Sequence, residues 1–264
     1  MSDEFNIWDY QDNFGDEREP LTPDSDLWVE LGNVRGDYDQ TELFNQFRFD
    51  SRNKKLRGEP QGCFALFGGH RGSGKSTELR VLAQKMSGPQ AYQVVLIDAL
   101  KKLDIFNLDY SDLLLAQVSA LANQLAKGGI ELDDAFISPL NTWFETRIER
   151  IERARGLSAE IRTGVEAGAG LPLIGKLFAR LTTAIQTNAT YKEEIRREVR
   201  DNFSNLAARF DRLVGHAIER LKQAGKARSL LFVIDGTDRL LPQDAENFFI
   251  NGVDRLRRTQ RPIC

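Results

Sequence analysis

The sequence contains little cysteine. Only Cys63 and Cys264 occur among its 264 residues, and they lie far apart without the spacing of metal ligands. A disulfide framework and a cysteine-based zinc site are therefore not indicated. We expect both residues to be plain thiols in a reducing compartment.

The sequence also lacks the apolar segments that mark membrane-spanning and secreted proteins. No run of about 18 residues is free of charge, and the amino terminus has no basic stretch followed by an apolar one. Residues 164–185 are rich in apolar side chains, but Pro172 divides them and Lys176 and Arg180 interrupt them. This stretch favours packing within the chain, with contact to a membrane or a partner as the alternative. The expected location is the cytoplasm.

Charge is nearly balanced overall but unevenly distributed. The formal net charge is -3, yet the segment before Phe47 is strongly acidic and residues 145–228 are rich in arginine. The arginine-rich segment could bind nucleic acid or an acidic partner, or it could be the solvated surface of helices that mix Arg and Glu. The sequence leaves both interpretations open.

Four segments follow one another along the chain. Residues 1–26 are acidic and lack sustained periodicity, which is typical of a flexible arm. Residues 27–133 and 227–264 carry short apolar runs and are predicted to form the two parts of one core. Residues 134–226 are helical in pattern and far too long for an ordinary crossover between parallel strands, so they predict a helical insertion.

Strands and helices are predicted from apolar spacing and from capping residues. Three apolar runs favour strands of a parallel sheet, at residues 62–67, 92–97 and 229–234. One helix should follow the first strand, and another should run from a cap at Asp109 to Gly128. In the insertion, Thr190 and Glu193 form a capping box for one long amphipathic helix that ends near Gly225. An earlier helix is predicted to carry the apolar side chains Leu43, Phe44, Phe47 and Phe49.

A glycine-rich segment joins the first predicted strand to the helix after it. Residues 69–76 satisfy the pattern G-x-x-x-x-G-K-[ST], which arises by chance in about one chain in a hundred of this length. The glycines let main-chain N–H groups point inward at the positive end of the helix, which forms a concave anion site. Lys75 adds a charge at the β- and γ-phosphates, and the Ser76 hydroxyl can ligate Mg²⁺. The predicted ligand is ATP with Mg²⁺, and the predicted contacts are Gly69, His70, Arg71, Gly72, Ser73, Gly74, Lys75, Ser76 and Thr77.

An acidic residue, Asp235, ends the third apolar run. In a parallel sheet its carboxylate would lie at the carboxyl edge, where the glycine-rich loop also opens, and it could hold Mg²⁺ through a water molecule. A purely structural acid is the alternative. Hydrolysis also needs a group that orients or deprotonates water, and Gly236 occupies the position where many P-loop ATPases place a Glu. Asp238 is the substitute candidate, unless it caps a helix or pairs with Arg239.

The two motifs resemble those of a known group. Residues 64–80 (Phe-Ala-Leu-Phe-Gly-Gly-His-Arg-Gly-Ser-Gly-Lys-Ser-Thr-Glu-Leu-Arg) and 232–240 (Phe-Val-Ile-Asp-Gly-Thr-Asp-Arg-Leu) are similar to the Walker A and Walker B segments of AAA-type ATPases of the STAND and KAP-like kind. The resemblance implies a three-layer α/β P-loop fold, with a further strand between the P-loop strand and the Walker B strand. The helical insertion would separate the second strand from the Walker B strand.

The same resemblance carries expectations about ligand and partners. It implies adenine as the base, with Arg35 and Gly36 close to it, and ATP-driven switching or assembly in a bacterial signalling or antiviral defence protein. A homo-oligomer or an effector protein would be the partner, and an arginine finger could come from a neighbouring subunit. The expected fourth strand is missing, so the chain is predicted to be the amino-terminal portion of a longer protein.

Three functions remain in competition at this point. The first is an ATPase in which Lys75 and the loop amides hold the phosphates, Ser76 and Asp235 hold Mg²⁺, and Asp238 assists water. The second is a nucleotide-gated regulatory module with little turnover. The third is an ATPase stimulated by DNA or RNA, which depends on the basic insertion alone.

Overall fold

The computed structural model describes residues 39–60, 62–70, 72–103, 109–155 and 189–237, together with 240, 242–246 and 249. Several predictions fall outside these ranges. They concern the acidic arm of residues 1–26, the stretch 164–185, and the residues Arg35, Gly36, Arg71, Asp238 and Cys264.

The described residues form a mixture of helices and short strands. The strands are β1 Phe49–Asp50, β2 Lys55–Leu56, β3 Tyr92–Asp98 and β4 Ser229–Asp235. The helices are α1 Gln40–Gln46, α2 Lys75–Met86, α3 Ala99–Lys102, α4 Tyr110–Lys127, α5 Asp134–Arg155, α6 Ala189–Asp201, α7 Phe203–Gln223 and α8 Pro242–Glu246.

The centre of the structure is the parallel pair of β3 and β4. Their register sets Tyr92 opposite Ser229 and Asp98 opposite Asp235. Both strands lie where the apolar runs predict them, and their Val- and Ile-rich composition suits strands covered on both faces. Because the two strands end in register, Asp98 and Asp235 lie side by side at the carboxyl edge. The P-loop class of the fold stays a prediction.

Both faces of this pair are covered. We call the first group of buried residues the helical cluster; it joins side chains of α4 to α7 to Val95, Ile97, Leu230 and Phe232 of the strands. The second, the loop-side cluster, joins α1, β1, β2 and α2 to Val94, Leu231 and Val233. Alternate strand residues thus point to opposite layers, as the period of two requires.

The segment predicted as the first strand does not form a ladder. Within residues 62–70 only Phe64 takes part in an isolated bridge. Phe64 packs against the helical cluster, whereas Cys63, Ala65 and Phe67 pack against the loop-side cluster. The segment is therefore extended, with alternate side chains on the two layers. Leu66 is 72% exposed, so the prediction of a strand buried on both faces is wrong.

Two helix predictions also need correction. The long helix of the insertion is two helices, because Asn202 leaves helical geometry at φ -117 and ψ 20 and its Nδ2 donates to the carbonyl oxygen of Glu198 at 3.0 Å. Thr190 lies inside α6 and does not cap it. The first helix ends at Gln46, and Phe49 instead belongs to β1.

The helix after the glycine-rich loop and the helix capped by Asp109 lie where they were predicted. In α4, Asp109 accepts from the N–H of Ser111 at 2.9 Å, and Asp112 accepts in return from the N–H of Asp109 at 3.1 Å. This reciprocal pair is a capping box built on two aspartates.

None of the helices in the described ranges combines the length and the apolar character needed to cross a bilayer.

Candidate functional site

The glycine-rich loop leads directly into helix α2. Gly74 is the residue before the helix, and its φ of 77° lies in the left-handed region, which a side chain would make costly. Gly74 has no side chain that could cap the helix, so the first N–H groups of α2 gain no side-chain acceptor from that position. Those groups and the helix dipole favour an anion at this end.

The ammonium group of Lys75 lies against the loop. Its Nζ donates to the carbonyl oxygens of Gly69 at 3.0 Å and His70 at 2.9 Å. The carbonyl of His70 also accepts from the N–H of Ser73 at 3.2 Å. The positive charge of Lys75 is therefore held next to the main chain of Gly69 and His70, at the amino end of α2.

Ser76 and Asp235 are brought together from positions 159 residues apart. The hydroxyl of Ser76 donates to Oδ1 of Asp235 at 2.8 Å, and both residues are half-buried. The N–H of Gly236 donates to the same oxygen at 2.8 Å. The start of α2 and the end of β4 thus meet at one hydroxyl and one carboxylate, the two groups that the sequence nominates for Mg²⁺.

These two side chains suit a hard cation. Mg²⁺ prefers oxygen ligands and is commonly held by one or two protein groups, with waters and phosphate oxygens completing its octahedron. Among the described residues, no group of three or more His, Cys, Asp or Glu could hold a metal by itself. A magnesium ion at Ser76 and Asp235 would therefore take its remaining ligands from water and from a bound phosphate.

Gly236, directly after Asp235, cannot be replaced by an acid without rearrangement. Its φ is 86°, and a Cβ built on it would lie 2.9 Å from Cγ of Leu100. Leu100 is in α3, the short helix that follows β3. The close approach between the two chain segments that leave the strand ends thus disfavours a Glu at this position.

Sequence reasoning missed the position of Asp98. It is in register with Asp235, and its Oδ1 accepts from the N–H groups of Leu100 at 3.1 Å and Lys101 at 3.3 Å. Asp98 caps α3 and so holds Leu100 against Gly236. The sequence feature that could have revealed this position is that both of these strands end in Asp.

A second missed group ties α1 to α2. Nε2 of Gln40 donates to the buried Glu78 at 2.6 Å, and Oε1 of Gln40 accepts from Nζ of Lys85 at 3.0 Å. Glu78 lies in the first turn of α2, four residues after Gly74. These contacts fix the orientation of the helix that begins at the glycine-rich loop.

The remaining predicted contacts are only partly described. Gly72 and Ser73 are exposed, Thr77 is half-buried within α2, and His70 contributes its carbonyl group as noted above. Arg35, Gly36, Arg71 and Asp238 lie outside the described residues.

Cys63 is a free thiol near the loop-side cluster. Burial raises its pKa to about 11, so the thiol stays protonated at neutral pH. Because the thiolate is the reactive form, Cys63 is not a candidate nucleophile.

Comparisons with models of protein families, with curated proteins and with solved structures give no match to this chain.

Proposed function

We propose that the chain binds ATP with Mg²⁺ at residues 69–76 and is the nucleotide-handling part of a P-loop ATPase. The observation that supports this most directly is the 2.8 Å hydrogen bond between Ser76 and Asp235. It joins the two sequence motifs at the start of a helix and the end of a parallel strand. This is the edge of a parallel sheet at which ligands are usually bound.

Each group has a role in the proposed site. The triphosphate enters the loop and accepts hydrogen bonds from the uncapped N–H groups at the start of α2. Lys75 exchanges the carbonyl oxygens of Gly69 and His70 for β- and γ-phosphate oxygens. Ser76 and Asp235 are the residues that would hold Mg²⁺, which would supply neutralisation of the charge that develops on the phosphates.

The proposed reaction is hydrolysis of ATP to ADP and phosphate. This hydrolysis would drive switching or assembly of a larger cytoplasmic protein. Asp238 is proposed to orient the attacking water. A homo-oligomer or an effector protein would respond to the nucleotide state.

A second function is favoured by the geometry around Gly236. Gly236 provides no carboxylate directly after Asp235, and an added Cβ there would lie 2.9 Å from Cγ of Leu100. A site without that acid would hydrolyse ATP slowly and act as a nucleotide-gated module. Measured phosphate release at equal ATP occupancy separates the two functions. Release of several phosphates per chain per minute supports the ATPase, and release below one per hour supports the gated module.

Nucleotide binding itself is tested with Lys75→Ala. We expect this variant to lose ATP affinity by about tenfold or more, because a charge-assisted contact to phosphate is removed. The measurement is titration of labelled ATP with Mg²⁺ into the full chain, with circular dichroism as the check on folding.

The matched control is Lys127→Ala, which removes the same side chain from the exposed carboxyl end of α4, outside the proposed site. Its ATP affinity should equal that of the original chain. Equal affinity in Lys75→Ala and the original chain would refute the phosphate role of Lys75 and the proposed function with it.

A further inference from the structure

A groove lies in the helical layer between α5 and the junction of α6 with α7. It has a volume of about 570 Å³, and its lining includes Trp143, Arg147, Asn202, Asn205 and Arg209. This volume is within the usual range for small-molecule pockets. No residue of the loop 69–76 is among its lining residues, so it is separate from the proposed ATP site.

Pro139 and Asn202 both line this groove. Pro139 lies inside α5, and Asn202 separates α6 from α7. Arg209 holds the two sides together, because its Nη1 donates to the carbonyl oxygen of Pro139 at 3.0 Å and its Nε donates to Oδ1 of Asn205 at 2.8 Å. The guanidinium of Arg209 is thereby fixed in position at the rim.

The charge of the groove is positive. The guanidinium of Arg147 lies 3.8 Å from the centre of the Trp143 ring, and its Nε is 3.1 Å from Oε2 of Glu198 without the alignment of a hydrogen bond. Arg150 shares the same carboxylate at 3.4 Å. Among the described residues, no Asp or Glu lines the groove itself.

The three arginines are close enough to repel one another. Burial lowers the pKa of Arg147, and the charges of Arg150 and Arg209 lower it further, while Glu198 opposes them. Glu198 pairs with two of these guanidinium groups, those of Arg147 and Arg150, while Arg209 bonds Pro139 and Asn205. An anion in the groove would relieve this imbalance.

We propose that this groove binds a phosphorylated small molecule of about the size of a mononucleotide. Arg147 and Arg209 would contact the phosphoryl group, since guanidinium groups match phosphate oxygens in geometry and charge. The side-chain amide nitrogen of Asn205, whose Oδ1 accepts from Arg209, would donate to the rest of the ligand. The volume exceeds what a free phosphate ion needs, which favours a phosphate ester.

The test is calorimetric titration of adenosine 5′-monophosphate and, separately, of inorganic phosphate into the full chain carrying Lys75→Ala. That background weakens binding at the glycine-rich loop, and Arg209 lies outside that loop, so a failed nucleotide proposal and a failed groove proposal give different results. We expect saturable binding of the monophosphate, with inorganic phosphate binding more weakly. Arg209→Gln should weaken the binding by about tenfold or more.

The control is Arg153→Gln, on the same helix α5. The side chain of Arg153 is 78% exposed, pairs with Glu149 and does not line the groove, so its removal should leave binding unchanged. Should Arg209→Gln fail to fold, Asn205→Ala serves in its place, with a loss of several-fold expected. The proposal is overturned by absence of saturable binding of both probes, or by equal losses in Arg209→Gln and Arg153→Gln. Binding of a single-stranded oligonucleotide without binding of the monophosphate would also overturn it.

Discussion

Two aspartates in this chain, Asp112 and Asp235, differ in how their carboxylate oxygens are bonded. Asp112, in α4, is buried, and Nε of Arg196 donates to its Oδ1 at 3.2 Å while Nη2 of Arg196 bonds its Oδ2. Asp235 is half-buried and accepts at Oδ1 from Ser76 and Gly236. Within the described ranges, no residue donates to Oδ2 of Asp235. Both oxygens of the Asp112 carboxylate are thus bonded to Arg196, whereas Asp235 keeps one carboxylate oxygen available for a ligand.

The difference follows from where each carboxylate lies. Asp112 is covered by the helical layer, and burial raises its pKa while the guanidinium of Arg196 opposes that rise. Such a group requires a permanent partner. Asp235 lies at the carboxyl edge of the sheet, where a hydroxyl and one N–H are its protein partners. A carboxylate with neutral partners at an open edge is free to bind a cation or water.

The largest effect is expected from removing the partner of the buried carboxylate. Arg196→Ala should lower the free energy of unfolding by about 3–5 kcal/mol, because it leaves the buried Asp112 without the guanidinium that hydrogen-bonds to it. Urea denaturation followed by circular dichroism measures this. As a control, Arg197→Ala removes a neighbouring side chain that is 63% exposed and paired with Glu194, and it should cost less than about 1 kcal/mol.

The unfolding free energy of Arg196→Ala should also depend on pH. Without Arg196 the folded-state pKa of Asp112 rises further, so the folded variant binds a proton that the unfolded chain does not. Its unfolding free energy should fall as the pH rises through that elevated pKa and recover as the pH is lowered. A deficit that is the same at pH 5 and pH 8 would contradict the account of Asp112.

The second prediction tests the geometry beside Asp235. Gly236→Ala should cost about 1 kcal/mol for a left-handed backbone and a further 1–3 kcal/mol, roughly, for overpacking against Leu100. Gly225→Ala is the matched control, because its φ is 64° and nothing lies within 4 Å of the added Cβ. Thermal unfolding should rank the two variants in that order. Equal losses would mean that Leu100 does not determine the residue after Asp235.

Much of the fold could be predicted because its signals are local. The β-branched runs of β3 and β4 and the aspartate cap of α4 are set by short-range preferences. The break at Asn202 could not be predicted, since the apolar spacing of Val199, Phe203 and Leu206 continues across it. The pairing of Asp112 with Arg196 joins residues 84 apart and depends on how α4 meets α6.

The residues of the candidate site likewise include some that local sequence signals predict and others that they do not. Lys75 and Ser76 are nominated by a motif whose spacing carries the geometry, and Asp235 by its position after an apolar run. Asp98 and Leu100 were missed, because their importance comes from the register of β3 with β4 and from the approach of α3 to Gly236. The groove at Arg147 and Arg209 was also missed, since it arises where α5 packs beside the junction of α6 with α7.

The smallest stability effect is expected from changing Asp235 itself. In Asp235→Asn the amide oxygen can still accept from Ser76 and Gly236, so the unfolding free energy should change by less than about 1 kcal/mol. The loss of charge should instead weaken the dependence of ATP binding on Mg²⁺, measured by titrating ATP at several magnesium concentrations. If the variant were destabilised by about 3 kcal/mol, as expected for Arg196→Ala, Asp235 would be a structural acid. The contrast between the two aspartates would then be wrong, and with it the assignment of Asp235 to the ion.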